Sequence, residues 1–433
     1  MTSQMIICLG IFLFMILGFV FADKLRTTLG VVALCAIMLT SFSGLMEPKA
    51  VLACFANKNV LLITGMFIVA AGFNRTQAVH KVSQMVYKIS SGKFRVMLGG
   101  YLLIALALTQ MIPRVVFGIV SPLLAGSCSE FKVSPSKVMF SLALVCVSCC
   151  LVMPVGIGAT TYAQQNAYLE SYGYTDYAMQ LLDPLKARGI TCLVMFLYAL
   201  FIAPKTCPDQ PSVAITLKAA SAKNGEGPAP LSPVREVLGY SIFIVTTLAL
   251  IFQTRLGVES WQIAMTGASL VLVTGVLTSQ EAIKALPIRI ALMLISALVV
   301  GGAMVNCGLG DAIGSMVASS LGSSHNNYVV GAAFFIIPFL MTQVMQNQSV
   351  ANIFTPIIIL TCKSMNANPI GPILLLNAAC LTAFLTPMAT GAIPPMMDAG
   401  GYNQRDLLKI GWLPSVIVCV VAVLSVMTIF PAF

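Results

Sequence analysis

The chain has 433 residues, 58% of them hydrophobic and 9% charged, with a mean hydropathy of +0.94. A soluble domain carries about 25% charged residues, so this composition excludes a water-soluble globular protein and indicates a polytopic membrane protein. The net charge of +10 fits basic cytoplasmic loops rather than a nucleic-acid partner.

The first apolar run, "MIICLGIFLFMILGFVFA" at 5–22, has no basic stretch before it and is long enough to span a bilayer. It is read as a helix, not as a cleaved signal. Further runs of spanning length fall near 27–46, 58–76, 137–156, 187–203, 237–253, 258–277, 290–307, 369–391 and 410–431, which makes about ten spans. Two other apolar stretches, 96–128 and 328–362, are interrupted midway by "LTQMIPRVVFGIVSP" and "MTQVMQNQSVANIFTP". Each predicts a re-entrant hairpin. A broken span follows each hairpin, 137–166 in the first case and 369–404 in the second. The second contains "LTPMATGAIPPMMDAGGY" at 385–402. Proline has no amide proton and clashes with the preceding turn. Broken backbone at membrane depth is tolerated only against protein or a water-filled cavity.

The thirteen cysteines include one cluster, "CVSCC" at 146–150. With no histidine nearby they read as small packing residues rather than a metal or redox site. The two histidines, His80 and His325, lie outside the broken segments, and no catalytic constellation accompanies them. The expectation is therefore not an enzyme.

The chain repeats itself. Residues 1–203 hold hairpin 96–128 and broken helix 137–166; residues 237–433 hold hairpin 328–362 and broken helix 369–404; a Pro-, Ser-, Gly- and Ala-rich linker, 204–236, joins them. Five spans per half is an odd number, so the second half enters the membrane in the opposite sense. The fold class expected is all-α polytopic, two inverted repeats of about five transmembrane helices, each with a re-entrant hairpin and a broken helix, a pattern of many secondary transporters. Sixteen basic residues against six place the linker in the cytoplasm and both termini outside a plasma membrane. In that count Lys186 and Arg188 stand in an outer loop, and Arg75, His80 and Asp311 are read as solvated.

A broken helix exposes free amides, suited to an anion, at one half-helix end and free carbonyls, suited to a cation, at the other. The polar residues expected to line a substrate site are Pro113 and Arg114 from the first hairpin and Thr160, Thr161 and Asn166 from the first break. The second hairpin adds Gln346, Asn347, Gln348 and Ser349, and the second break adds Thr386, Thr390 and Asp398. Against this, Thr and Ser inside spans often bond back to their own helix, Asn166 can be a cap, and Arg114 can pair with Asp398.

The stretch 385–402, with the second hairpin, resembles the divalent-anion/sodium symporter family. Thr386, Pro387, Ala389, Thr390, Gly400, Gly401 and Tyr402 match its "TP-x-AT … GGY" pattern, and Asn166 matches an asparagine of the first break. Family hairpin tips carry Ser-Asn-Thr. Here the second tip is Gln346-Asn347-Gln348, which keeps only the asparagine, and the first is Ile112-Pro113-Arg114, which keeps none. The resemblance implies a sodium-coupled, homodimeric, elevator-type symporter of di- or tricarboxylates, sulfate or a similar divalent anion, in a lipid bilayer and with no resident cofactor. It puts sodium near Asn347, Thr390 and Asn166. The departures imply an alternative: a proton-coupled carrier or an anion exchanger in which Arg114 replaces a sodium ion.

Overall fold

The computed structural model describes residues 2–21, 28–77, 94–110, 116–213, 215, 231–320, 326–343, 347–386, 390 and 392–433. Among them all regular structure is helical. In the first half the helices are α1 (Ser3–Phe21), α2 (Leu29–Phe42), α3 (Pro48–Phe55), α4 (Lys58–Asn74), α5 (Phe94–Thr109), α6 (Val116–Glu130), α7 (Met139–Ser148), α8 (Thr161–Ser171) and α9 (Asp183–Phe201). In the second they are α10 (Pro233–Ile251), α11 (Ser260–Val273), α12 (Ser279–Ala285), α13 (Ile288–Asn306), α14 (Leu309–Ser320), α15 (Asn327–Thr342), α16 (Asn347–Ser364), α17 (Ile370–Cys380), α18 (Ile393–Gly400) and α19 (Gln404–Ile429).

Each of the ten expected spans contains a helix. The expected span lengths differ from the observed ones at 137–156 and 369–391. There the apolar window runs on past the ends of α7 at Ser148 and α17 at Cys380. Composition stays apolar while the backbone leaves the helix. Two short helices, α3 and α12, were not expected. Their starts are set locally, by Pro48 in the first turn of α3 and by the Thr278/Glu281 capping box of α12.

Among the described residues each half contains a helical hairpin followed by a broken helix and a long helix, and the contacts cross over. Helix α4 packs on α11, while α13 packs on α2. The α4–α11 approach is close because Gly65 has no side chain: a Cβ there would lie 2.7 Å from the Ala264 backbone, the small-residue contact common between membrane helices. Helices α9 and α19 pack on each other. The outer faces remain apolar. Ile244, Val245 and Leu248 on α10, and Val416, Val420 and Leu424 on α19, are exposed. Apolar surface that extensive is suited to lipid.

Candidate transport site

Each hairpin is two helices joined by a short connection: α5 and α6 in the first half, α15 and α16 in the second. The first arm of each ends in Thr-Gln. Gln110 is buried; its amide nitrogen donates to the Cys149 carbonyl at 2.7 Å, and its carbonyl accepts from the Val152 and Met153 amides at 2.9 and 3.0 Å. Gln343, also buried, accepts from the Leu385 amide at 3.0 Å and donates to the Phe339 carbonyl. Thr386 donates its hydroxyl to the Gln343 backbone carbonyl. Gln110 and Gln343 are 233 residues apart, as are Val152 and Leu385. The same amide therefore ties the same point of each break to its own hairpin. Free backbone groups created by the break are satisfied by a side chain, as low-dielectric surroundings require.

At the first break a guanidinium adds to this. Arg188, 3% exposed, donates to the Cys150 and Ser148 carbonyls, both at 3.0 Å. The expectation that Arg188 lies in an outer loop is replaced by this buried position: α9 already begins at Asp183, so Arg188 lies inside the helix. Arg75, expected to be solvated, is largely covered and pairs with Glu281 at 3.1 Å.

The half-helices after the breaks cross to the other half. On α8, Tyr168 donates to Asn352 of α16 at 2.5 Å and Gln165 to Asn377 of α17 at 3.4 Å. All four are buried, and the amide nitrogens of Asn352 and Asn377 have no partner among the described residues. In return, α18 packs on α6 and α7. It ends in the Gly400-Gly401-Tyr402 turn. Gly401 has φ +63°, a left-handed conformation that closes a helix and suits glycine. Its carbonyl accepts from the Ser212 and Val213 amides at 2.8 and 3.0 Å. The Tyr402 hydroxyl donates to the Ser136 carbonyl and accepts from the Phe140 amide at the start of α7.

Pro113, Arg114 and Gln346 lie outside the described residues, as do Pro387 and Ala389. Asn347 and Gln348 are half-buried at the start of α16, with Ser349 fully buried behind them. The Asn347 carbonyl accepts from Thr342 at 2.5 Å, bridging the two arms. Thr160 is buried and Thr161 opens α8 half-buried. Asn166 both donates to and accepts from the Met179 backbone, at 2.9 and 2.7 Å, which ties the 172–182 loop to α8. The Thr390 hydroxyl is buried with no partner among the described residues. Asp398 is exposed on α18. Thr386 and Asn347 thus meet at the second hairpin–break junction, through Gln343 and Thr342, whereas Asn166 faces a different region.

That region is an open cleft of about 640 Å³, lined by Lys58, Tyr162, Asn166, Glu170, Glu259 and Trp261 among others. Two carboxylates against one ammonium disfavour an anion there. The residues that sequence reasoning missed are Gln110, Gln343, Arg188 and the Gln165/Tyr168/Asn352/Asn377 seam. The Thr-Gln shared by the two interrupted stretches was the available signal for the first pair.

Paired helical hairpins and paired broken helices, joined by buried polar contacts inside an apolar all-helical chain, define a membrane transporter rather than an enzyme. The chain belongs to the sodium:sulfate symporter family, whose transmembrane region matches residues 1–431. It is similar to an uncharacterized transporter of Haemophilus influenzae, at 20% identity over 91% of this chain and 85% of that protein. An uncharacterized transporter of Synechocystis sp. is 24% identical over 40% of this chain, a match that spans only 28% of that protein. Among solved structures it resembles the YdaH transporter of Alcanivorax borkumensis (TM-score 0.63, 14% identity, 87% of this chain and 86% of that one). It also resembles MtrF of Neisseria gonorrhoeae, described as one of a class of antimetabolite efflux pumps (TM-score 0.58, 10% identity, 88% of this chain and 83% of that one).

Proposed function

We propose that the chain carries a small divalent anion, a di- or tricarboxylate or sulfate, across the plasma membrane, coupled to sodium. The observation that carries this reading is the pair of equivalent junctions at which Gln110 and Gln343 fasten a broken helix to its hairpin. A hairpin and break that are joined by buried hydrogen bonds move as one body, as an elevator-type carrier requires. The doubled element order supports an inverted repeat, with the 204–236 linker cytoplasmic and both termini outside. Gln346, Asn347, Gln348, Ser349, Thr386 and Thr390 of the second hairpin and break would contact the anion and a sodium ion, together with Pro113, Arg114, Thr160 and Thr161 of the first. Carriers of this family type work as homodimers, and the same assembly is proposed here.

A thermal-shift screen of the purified protein against dicarboxylates, citrate and sulfate, with and without sodium, tests the reading. A ligand that binds only the folded state raises apparent stability by mass action. Stabilisation by one of these anions, larger in sodium, is expected. Stabilisation by none of them in either condition would remove the substrate class.

A further inference from the structure

The first break is closed by a positive charge, and among the described residues none meets the second. The Ser148 and Cys150 carbonyls that receive Arg188 belong to the end of α7 and the residues just beyond it. Helix-end carbonyls lack intrahelical partners, and the negative end of the helix dipole lies there. Among the described residues no carboxylate pairs with Arg188. Asp183, on the same helix, pairs with Lys186 at 3.2 Å and accepts from the Gln180 amide. Among the described titratable groups, the thiols of Cys149, Cys150 and Cys192 lie near the guanidinium. A buried arginine in a membrane protein is costly and marks function by default. Here two carbonyls and a helix dipole are what compensate it.

The second half keeps this frame and drops the charge. Asp183, Lys186 and Arg188 recur 223 residues on as Asp406, Lys409 and Gly411. Gly411 lies against the second break: a Cβ there would be 2.9 Å from the Leu385 side chain and 3.7 Å from the Phe384 carbonyl. The same register on α19 thus reaches the same part of its break with no charge to bring, and Gln404 at the start of α19 donates only a neutral amide, to the Leu385 carbonyl at 3.0 Å.

We infer that Arg188 is a tethered cation. Its guanidinium takes, at the carbonyl end of the first broken helix, the place that an exchangeable monovalent cation takes at the second. Carbonyl oxygens freed by an unwound helix serve either occupant. The carrier would then bind one coupling ion where a symmetrical pair of breaks would bind two. This rests on the sodium-coupled reading above, but its test compares variants and stands apart from it.

The experiment counts radioactive sodium bound at saturation to purified wild-type protein, Arg188→Lys and the neutral Arg188→Gln and Arg188→Ala. Wild type and Arg188→Lys should bind one ion per chain and the neutral variants two, a twofold rise. A merely structural arginine would lower the melting temperature without changing the count. Equal counts in wild type and neutral variants overturn the inference, as does a wild type that already binds two. So does failure of both neutral variants to be recovered folded in saturating sodium, since an ion could then not replace the guanidinium. A wild type that binds none, with neutral variants that bind one, removes sodium coupling but upholds the role of Arg188.

Discussion

Replacing Gln110 with leucine removes an amide of nearly the same volume and leaves three backbone groups without their partner: the buried Cys149 carbonyl and Val152 amide, and the more exposed Met153 amide. A buried polar group left unpaired costs about 1–3 kcal/mol, so at about 1.5 kcal/mol for each of the two buried groups the first break loses roughly 3 kcal/mol against local opening. That is a rise in the open population of about a hundredfold, at 1.4 kcal/mol per decade. Cys149 and Cys150, both buried beside the break, report the opening. With the other eleven of the thirteen cysteines replaced, their labelling by a membrane-permeant maleimide should accelerate in Gln110→Leu by that factor, while global melting changes less. A labelling rate within twofold of the parent would show that the glutamine does not hold the break, and hairpin and break would then not be fastened into one moving body.

Four more outcomes are expected. Tyr402→Phe, which loses the hydroxyl bonds to Ser136 and Phe140, should cost about 1 kcal/mol and lower the melting temperature; Gly401→Ala should cost more, because a Cβ there would sit 2.5 Å from the Val213 carbonyl in left-handed backbone, and a Gly401→Ala protein as stable as the parent would contradict the turn. Asn347→Ala should weaken anion binding ten- to a hundredfold, the loss of roughly 1.5–3 kcal/mol expected for a hydrogen bond to a charged group; an unchanged dissociation constant in a folded variant would place the anion elsewhere. A single cysteine placed in the 204–236 linker should resist an impermeant reagent added to intact cells, and prompt labelling would reverse the orientation.

Hydropathy made the apolar helices legible, one within each of the ten stretches, and proline with glycine made the two breaks legible, because both depend on residues near in sequence. The Gly400-Gly401-Tyr402 motif was visible too, but not what it does: the tyrosine reaches Ser136, 266 residues away. Gln110 and Gln343 were hidden for a related reason. Their partners are backbone groups about forty residues on, and a backbone amide leaves no mark in the sequence. Arg188 misled because the pattern Asp-Pro-Leu-Lys-Ala-Arg looks like a charged loop. The fold starts α9 at Asp183 instead and turns the arginine inward, where the end of α7 and the residues just beyond it provide its acceptors. Asn166 matched a family asparagine, yet its whole amide is engaged by the Met179 backbone; identity of residue type does not report which partner a side chain finds.

The central claim, that this chain is a carrier of divalent anions with alternating access, is tested most directly by counterflow. Proteoliposomes containing the purified protein are loaded with unlabelled succinate, citrate or sulfate and diluted into a trace of the labelled anion. Transient uphill accumulation of label for at least one of the three, faster with sodium on both sides, is the predicted result. Label that only equilibrates downhill, or does not enter at all for any of them, would contradict it.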